Sequence, residues 1–170
     1  MNTTFINQNG ENNIVEAGKK HLKSRSEDLQ YYSIFGYCED ETDFVNTLKE
    51  QDFDVDEIQT SCDNFKSLSL FHEYGLSFDY VELGNFDDQT EDYFRFQFSW
   101  GGPSEEVRFY EDGTIIFVYL DWFSGVGFDV SYEDEFVWLC DNFKDTDSMN
   151  FEREREKYDY YEKLYELEED

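Results

Sequence analysis

The sequence predicts an α+β fold in which an antiparallel β-meander of about four to five strands packs with several helices and the chain ends in an acidic helix. Three observations carry that expectation. Tyr93 to Trp100 alternates strictly, with Phe94, Phe96, Phe98 and Trp100 on one parity and Tyr93, Arg95, Gln97 and Ser99 on the other, the period of two of a half-buried strand. Turn signals at Gly101-Gly102-Pro103, Glu111-Asp112-Gly113 and Gly125/Gly127 divide the stretch from Gly101 to Val130 into short strands. Apolar residues recur at three- and four-residue steps before and after this region, which is the period of helices.

In chain order, residues 1–26 read as a polar, mildly basic N-terminal arm and residues 27–170 as a single acidic α+β domain. The arm carries Lys19, Lys20, Lys23 and Arg25 against Glu11 and Glu16, whereas the rest holds 40 acids against 9 bases. A segment of that sign suits packing on the chain's own acidic surface or on a neighbouring protomer. Leu29 to Tyr37 is apolar and fits either a strand or a buried helix end. Thr42 is placed to cap a short helix with Phe44, Val45 and Leu48 on one face. Ile58, Cys62, Phe65, Leu68 and Phe71 or His72 form a second helical pattern that stops at Gly75.

Leu76 to Leu83 alternates as a strand with Leu76, Phe78 and Tyr80 on one parity, and Asn85 to Asp92 is a polar, acidic loop. After Tyr93–Trp100 come Val107 and Phe109 opposite Glu106, Arg108 and Tyr110, then the Asp-Gly turn. Thr114 to Trp122 is apolar on both parities, as expected of a central strand covered on two faces. Val126, Phe128 and Val130 make the last strand. Ser131 with Asp134 three residues on resembles a capping box, opening a helix with Phe136, Cys140 and Phe143 on one side. The tail, Phe151 to Asp170, places Phe151, Tyr158, Tyr160, Tyr161, Leu164, Tyr165 and Leu167 on one sector of a helix. Glu152, Glu156, Asp159, Glu162, Glu166 and Glu169 occupy the opposite one.

Charge is the outlier. The 170 residues carry a formal −29, yet 20% of them are aromatic, so the chain has the material for a core that acidic disordered sequences lack. Folding such a chain costs self-repulsion that no core requires. The excess repels nucleic acid and anionic membrane surfaces, and it attracts basic proteins, above all those with nucleic-acid-binding grooves. Nothing in the polar start of the chain reads as a signal peptide and no run has the length of a membrane span, which suggests a cytoplasmic protein. Cys38, Cys62 and Cys140 form no C-x-x-C pair, so free thiols are expected rather than a disulfide framework or a zinc site.

Catalytic and cofactor signals are weak. His21 and His72 stand in no nucleophile or zinc motif, and no glycine loop cradles phosphate. Asp52 to Asp56 imitates the start of a calcium loop, but Glu57 replaces the glycine needed for the turn and Asp63 the bidentate glutamate. The expectation is therefore no enzyme and no cofactor. The acidic row on the tail is more informative. From Glu152 to Asp170 is about 27 Å of helix, so its carboxylates recur roughly every 4.5 Å, beside about 3.4 Å between phosphates along one DNA strand.

In size, charge, aromatic content and acidic tail the chain resembles the acidic DNA-mimic inhibitors carried by phages and plasmids, the anti-restriction and anti-CRISPR proteins. The resemblance lies in overall character and rests on no family motif. It implies an inhibitor that fills the DNA-binding groove of a host defence nuclease or CRISPR surveillance complex, with no direct contact to nucleic acid and no chemistry of its own. The expected contact residues are Glu152, Glu156, Asp159, Glu162, Glu166 and Glu169 on the tail, then Asp87, Asp88, Glu91 and Asp92 in the loop, with a homodimer as one possible form. Two other readings stand beside it: an immunity protein or antitoxin that neutralises a basic toxin, and a carboxylate-based metal-dependent hydrolase.

Overall fold

A computed structural model describes residues 3–7, 12–51, 74–86, 89–122 and 124–168 of the chain. Six strands form one antiparallel sheet: β1 (Thr3–Asn7), β2 (Ser77–Val81), β3 (Tyr93–Ser99), β4 (Ser104–Phe109), β5 (Ile115–Asp121) and β6 (Ser124–Asp129), in the spatial order β1-β6-β5-β4-β3-β2. The described helices are α1 (Asn12–Tyr37), α2 (Glu41–Glu50), α3 (Asp134–Asp145) and α4 (Phe151–Glu168). The expected α+β fold is present. Strands β2 to β6 are the meander, each hairpin-paired with the next, and β1 adds a sixth strand by pairing with β6.

Period-two alternation puts one parity of each strand on the helix-covered face. There Phe94 opposes Phe109, Val107 opposes Phe117, and Phe117 opposes Phe128. These side chains pack with Ile14, Leu22 and Leu29 of α1 and Phe136, Leu139, Cys140 and Phe143 of α3. Phe143 stacks flat on Phe78, ring centroids 3.8 Å apart. Each such fully buried large side chain contributes about 1.5–3 kcal/mol, so the aromatic composition offsets the repulsion of the surface charge. A second cluster, Ile34, Phe44 and Leu48, joins α1 to α2.

The N-terminal segment is not an arm. Residues 3–7 are in the sheet, and α1 runs unbroken from residue 12 past residue 26 to Tyr37, so Leu29–Tyr37 is the end of a helix. Lys19 and Lys23 pair with Glu16 and Glu27 on its exposed side, but His21 and Arg25 reach a buried acid. Arg25 Nε lies 2.6 Å from Glu105 Oε2 and His21 Nδ1 2.9 Å from Glu105 Oε1, while the Arg25 guanidinium also reaches the Tyr74 hydroxyl at 3.0 Å. Burial works against the Arg25 cation, but hydrogen bonds to Glu105 and Tyr74 outweigh it and raise its pKa. A buried carboxylate on β4 thus dictates basic residues on the helix above it.

Several local expectations are corrected. Asp40, not Thr42, caps α2: its carboxylate accepts from the Asp43 N–H at 2.9 Å, because the helix begins at Glu41. Ser131 forms no capping box. Its hydroxyl accepts from the Ile115 N–H at 2.9 Å and donates to Asp129, tying β5 to the turn before α3. The stop at Gly75 holds, with Tyr74 the last helical residue before it, and space also demands glycine there, since a β-carbon would fall 2.2 Å from the Phe96 ring. The Glu111-Asp112-Gly113 loop places Gly113 alone at positive φ, +92°, and closes on the Tyr110 N–H to Thr114 C=O bond, a three-residue hairpin loop. Trp100 lies beyond the end of β3 and is exposed.

The sheet's second face is more covered than alternation implies. Tyr93, Gln97, Ser104, Glu106 and Val118 are all buried on it, and Ile116 and Leu120 are half-buried. Arg95 bonds Asp79 at 2.7 Å, Arg108 bonds Glu106 at 2.7 Å, and the Arg108 guanidinium lies 4.8 Å above the Tyr93 ring. The long arginine stems shield these groups from water. Residues 52–73 lie outside the described residues, and with them the Ile58–Phe71 helix pattern, the Asp52–Asp56 segment, Cys62 and His72.

Candidate functional site

The register of the meander sends three connections to one end of the sheet. These are the β2–β3 loop, the β4–β5 turn at Glu111–Gly113 and the β6–α3 turn at Ser131–Glu133. Their described residues include exposed Glu91, Glu111, Asp112, Glu133 and, at the start of α3, Asp134. Exposed Leu83, Phe86 and Tyr132 stand among them.

Helix α4 starts at the same end. Asn150 caps it, its side-chain oxygen accepting from the Arg153 N–H at 3.0 Å. Phe151 meets Phe94 edge-on at 4.9 Å, and Tyr158 lies 5.5 Å from Tyr80. Between these contacts Arg155 makes a double fork: Nε and Nη2 to the two Asp92 oxygens at 2.8 and 3.0 Å, and Nη2 and Nη1 to the two Glu111 oxygens at 2.7 and 3.2 Å. The Tyr80 hydroxyl donates to Asp92 as well. Desolvation opposes ionisation of Asp92, but the bonds from Arg155 and Tyr80 prevail and lower its pKa. Desolvation and then the bond to Asp92 raise the Tyr80 phenol, and bonds to Asp92 and Glu111 raise Arg155.

Two other bases of α4 are also taken. Arg153 pairs with Asp147 at 2.6 Å and Glu154 at 3.3 Å, and Lys157 pairs with Glu154 at 2.7 Å. Glu152, Glu156 and Asp159 are exposed and make no ion pair among the described residues. They share one helix face over about 10 Å of axis. Every residue from Arg155 to Tyr161 is exposed, although Arg155 and Tyr158 keep their contacts to Asp92, Glu111 and Tyr80. Tyr160 and Tyr161 stand in solvent, while Tyr158 lies against Tyr80.

Of the expected contact residues, Glu152, Glu156, Asp159 and Glu91 are exposed and make no side-chain ion pair among the described residues. Asp92, by contrast, is half-buried and held by Arg155 and Tyr80, so it tethers α4 to the loop. Glu162 and Glu166 continue the helix, though their side chains lie outside the described residues, as do Asp87, Asp88 and Glu169 entirely. Glu111, Asp112, Glu133 and Asp134 were not expected here. The signal for them was available: in a meander, alternate connections fall at the same end.

Among the described residues no group of three or more His, Cys, Asp or Glu is placed to hold a metal ion, and no helix is long and apolar enough to cross a membrane. Cys38 and Cys140 are free thiols whose pKa burial raises. A cleft of about 560 Å³ between α1, α2 and the start of α3 is lined by Gln30, Tyr37, Cys38, Asp43 and Asp134 and contains no activated nucleophile. No family model, curated protein or solved structure matches the chain.

Proposed function

We propose that the protein is a DNA-mimic inhibitor that occupies the basic groove of a nucleic-acid-binding protein, a host defence nuclease or CRISPR surveillance complex, and excludes DNA from it. One observation carries the reading. Arg153, Arg155 and Lys157 of α4 are spent on acids of the same chain, while Glu152, Glu156 and Asp159 make no ion pair among the described residues and stand exposed beside an acidic end of the sheet. A helix designed for stability alone would spread its charges, since like charges at three- and four-residue steps cost about 0.2–0.5 kcal/mol a pair.

The mechanism is competition. Lys and Arg side chains that hold phosphate would pair with the α4 carboxylates, and solvent-exposed Tyr160 and Tyr161 would supply amphipathic contact area at the rim. No bond is made or broken. The test is capture of the partner with the wild-type chain and with an E152Q/E156Q/D159N variant, followed by displacement with duplex DNA. Displacement by DNA, steep weakening with salt and loss of capture by the folded variant are expected. A partner that the variant binds as tightly, or that duplex DNA fails to displace, overturns the reading. A nuclease toxin held without DNA competition would point to the immunity-protein alternative.

A further inference from the structure

The other end of the sheet carries a different surface. The β3–β4 connection and the β5–β6 hairpin meet there, and each presents a tryptophan: Trp100 is 69% exposed and Trp122 is 83% exposed. Trp122 follows Asp121, which pairs with Ser124 across a two-residue loop. That loop holds Trp122 at φ +49°, a left-handed conformation in which small residues such as Gly or Asn cost least. The pyrrole side of its indole rests on Gly102, where a β-carbon would come within 3.1 Å of the indole nitrogen. Turn chemistry does not account for a tryptophan at this position, and the contact with Gly102 leaves it 83% exposed. The residue before it in the chain, Asp121, is half-buried, and its carboxylate has no hydrogen bond or ion pair among the described residues.

We propose that Trp100, Trp122 and Asp121 form a cation-accepting anchor for an arginine side chain of a basic protein partner. The chemistry selects that occupant. Indole faces are the strongest aromatic acceptors of a cation, guanidinium is weakly hydrated and stacks flat on them, and an adjacent unpaired carboxylate fixes its charge. A phosphate or an anionic membrane is repelled by a chain of −29, which leaves basic proteins as the partners that approach this end. The anchor is spatially separate from α4, since Trp100 and Trp122 lie at the ends of strands whose opposite ends carry Asp92 and Glu111. It stands whether or not α4 binds a DNA groove.

The test is a titration of the full ¹⁵N-labelled chain with N-acetyl-arginine amide, with the uncharged isostere N-acetyl-citrulline amide and matched sodium chloride as controls. The indole N–H signals are assigned by Trp100→Phe and Trp122→Phe. A saturable shift of the Trp100 and Trp122 signals with the arginine compound alone is expected, with the Trp138 signal unmoved. Asp121→Asn should at least halve the shift, and E152Q/E156Q/D159N should leave it unchanged, so failure here and failure of the α4 reading are told apart. Equal shifts with citrulline, equal movement of Trp138, or no saturable shift would overturn the proposal.

Discussion

Replacing Glu105 by glutamine tests why a chain so rich in acid keeps its bases on α1. The Glu105 side chain is almost wholly buried, and it receives Arg25 at 2.6 Å and His21 at 2.9 Å. Removing one partner of a buried ion pair costs about 3–5 kcal/mol when the other is stranded. Arg25 is not fully stranded, because it keeps the Tyr74 hydroxyl at 3.0 Å and a longer contact to Asp28 at 3.5 Å, and glutamine preserves the volume. The expected loss is therefore about 2–3 kcal/mol, lower than the range for a pair with no alternative partner. For a chain of this length that is a fall in Tm of about 4–12 °C. Urea titration followed by circular dichroism measures it, with an unchanged m-value required for the comparison to hold. An apolar pair at both positions, R25M/E105L, should cost less than E105Q, since the charges it leaves behind, on Asp28 and His21, are partly exposed and Asp28 keeps the Tyr74 hydroxyl. A loss under about 0.5 kcal/mol for E105Q, or a double variant that is the worse of the two, refutes the reasoning.

Three further outcomes are expected. Phe143→Ala removes the ring stacked on Phe78 and should cost about 3–5 kcal/mol in urea unfolding. The lowered pKa of Asp92 means that its contribution to stability is present above the unfolded carboxylate value of about 3.9 and is lost as pH falls through the lower folded value. Arg155→Ala should flatten that dependence, and urea midpoints between about pH 2 and 5 read it. Neutralising Glu152, Glu156 and Asp159 removes two like-charge steps, so stability should hold or rise by about 0.4–1 kcal/mol, measured by the same titration.

The meander was legible because its pattern is local. Phe94, Phe96 and Phe98 alternate within one strand, and Gly113 marks one turn, so no distant information is needed to place them. The α1 helix was obscured for the opposite reason. Its first half reads as polar and basic, and the acid that justifies Arg25 lies 80 residues later in sequence. Caps were misread where two polar residues competed, as with Asp40 and Thr42. On the candidate site, sequence spacing found the free row on α4, but it could not show that Arg155 would claim Asp92, because that bond spans 63 residues. Trp100 illustrates a further limit: alternation continues past the last paired residue, and only pairing shows where a strand ends.

The position of β1 has a kinetic consequence. Strands β2 to β6 pair between neighbours in sequence, as when Tyr80 meets Phe94, but Thr3 meets Phe128 across 125 residues. Closing the longer loop costs about 2 kcal/mol more in chain entropy. The sheet's first strand in chain order is therefore the last to join it, added to a nearly finished structure, and its amide protons should be the first in the sheet to exchange with solvent.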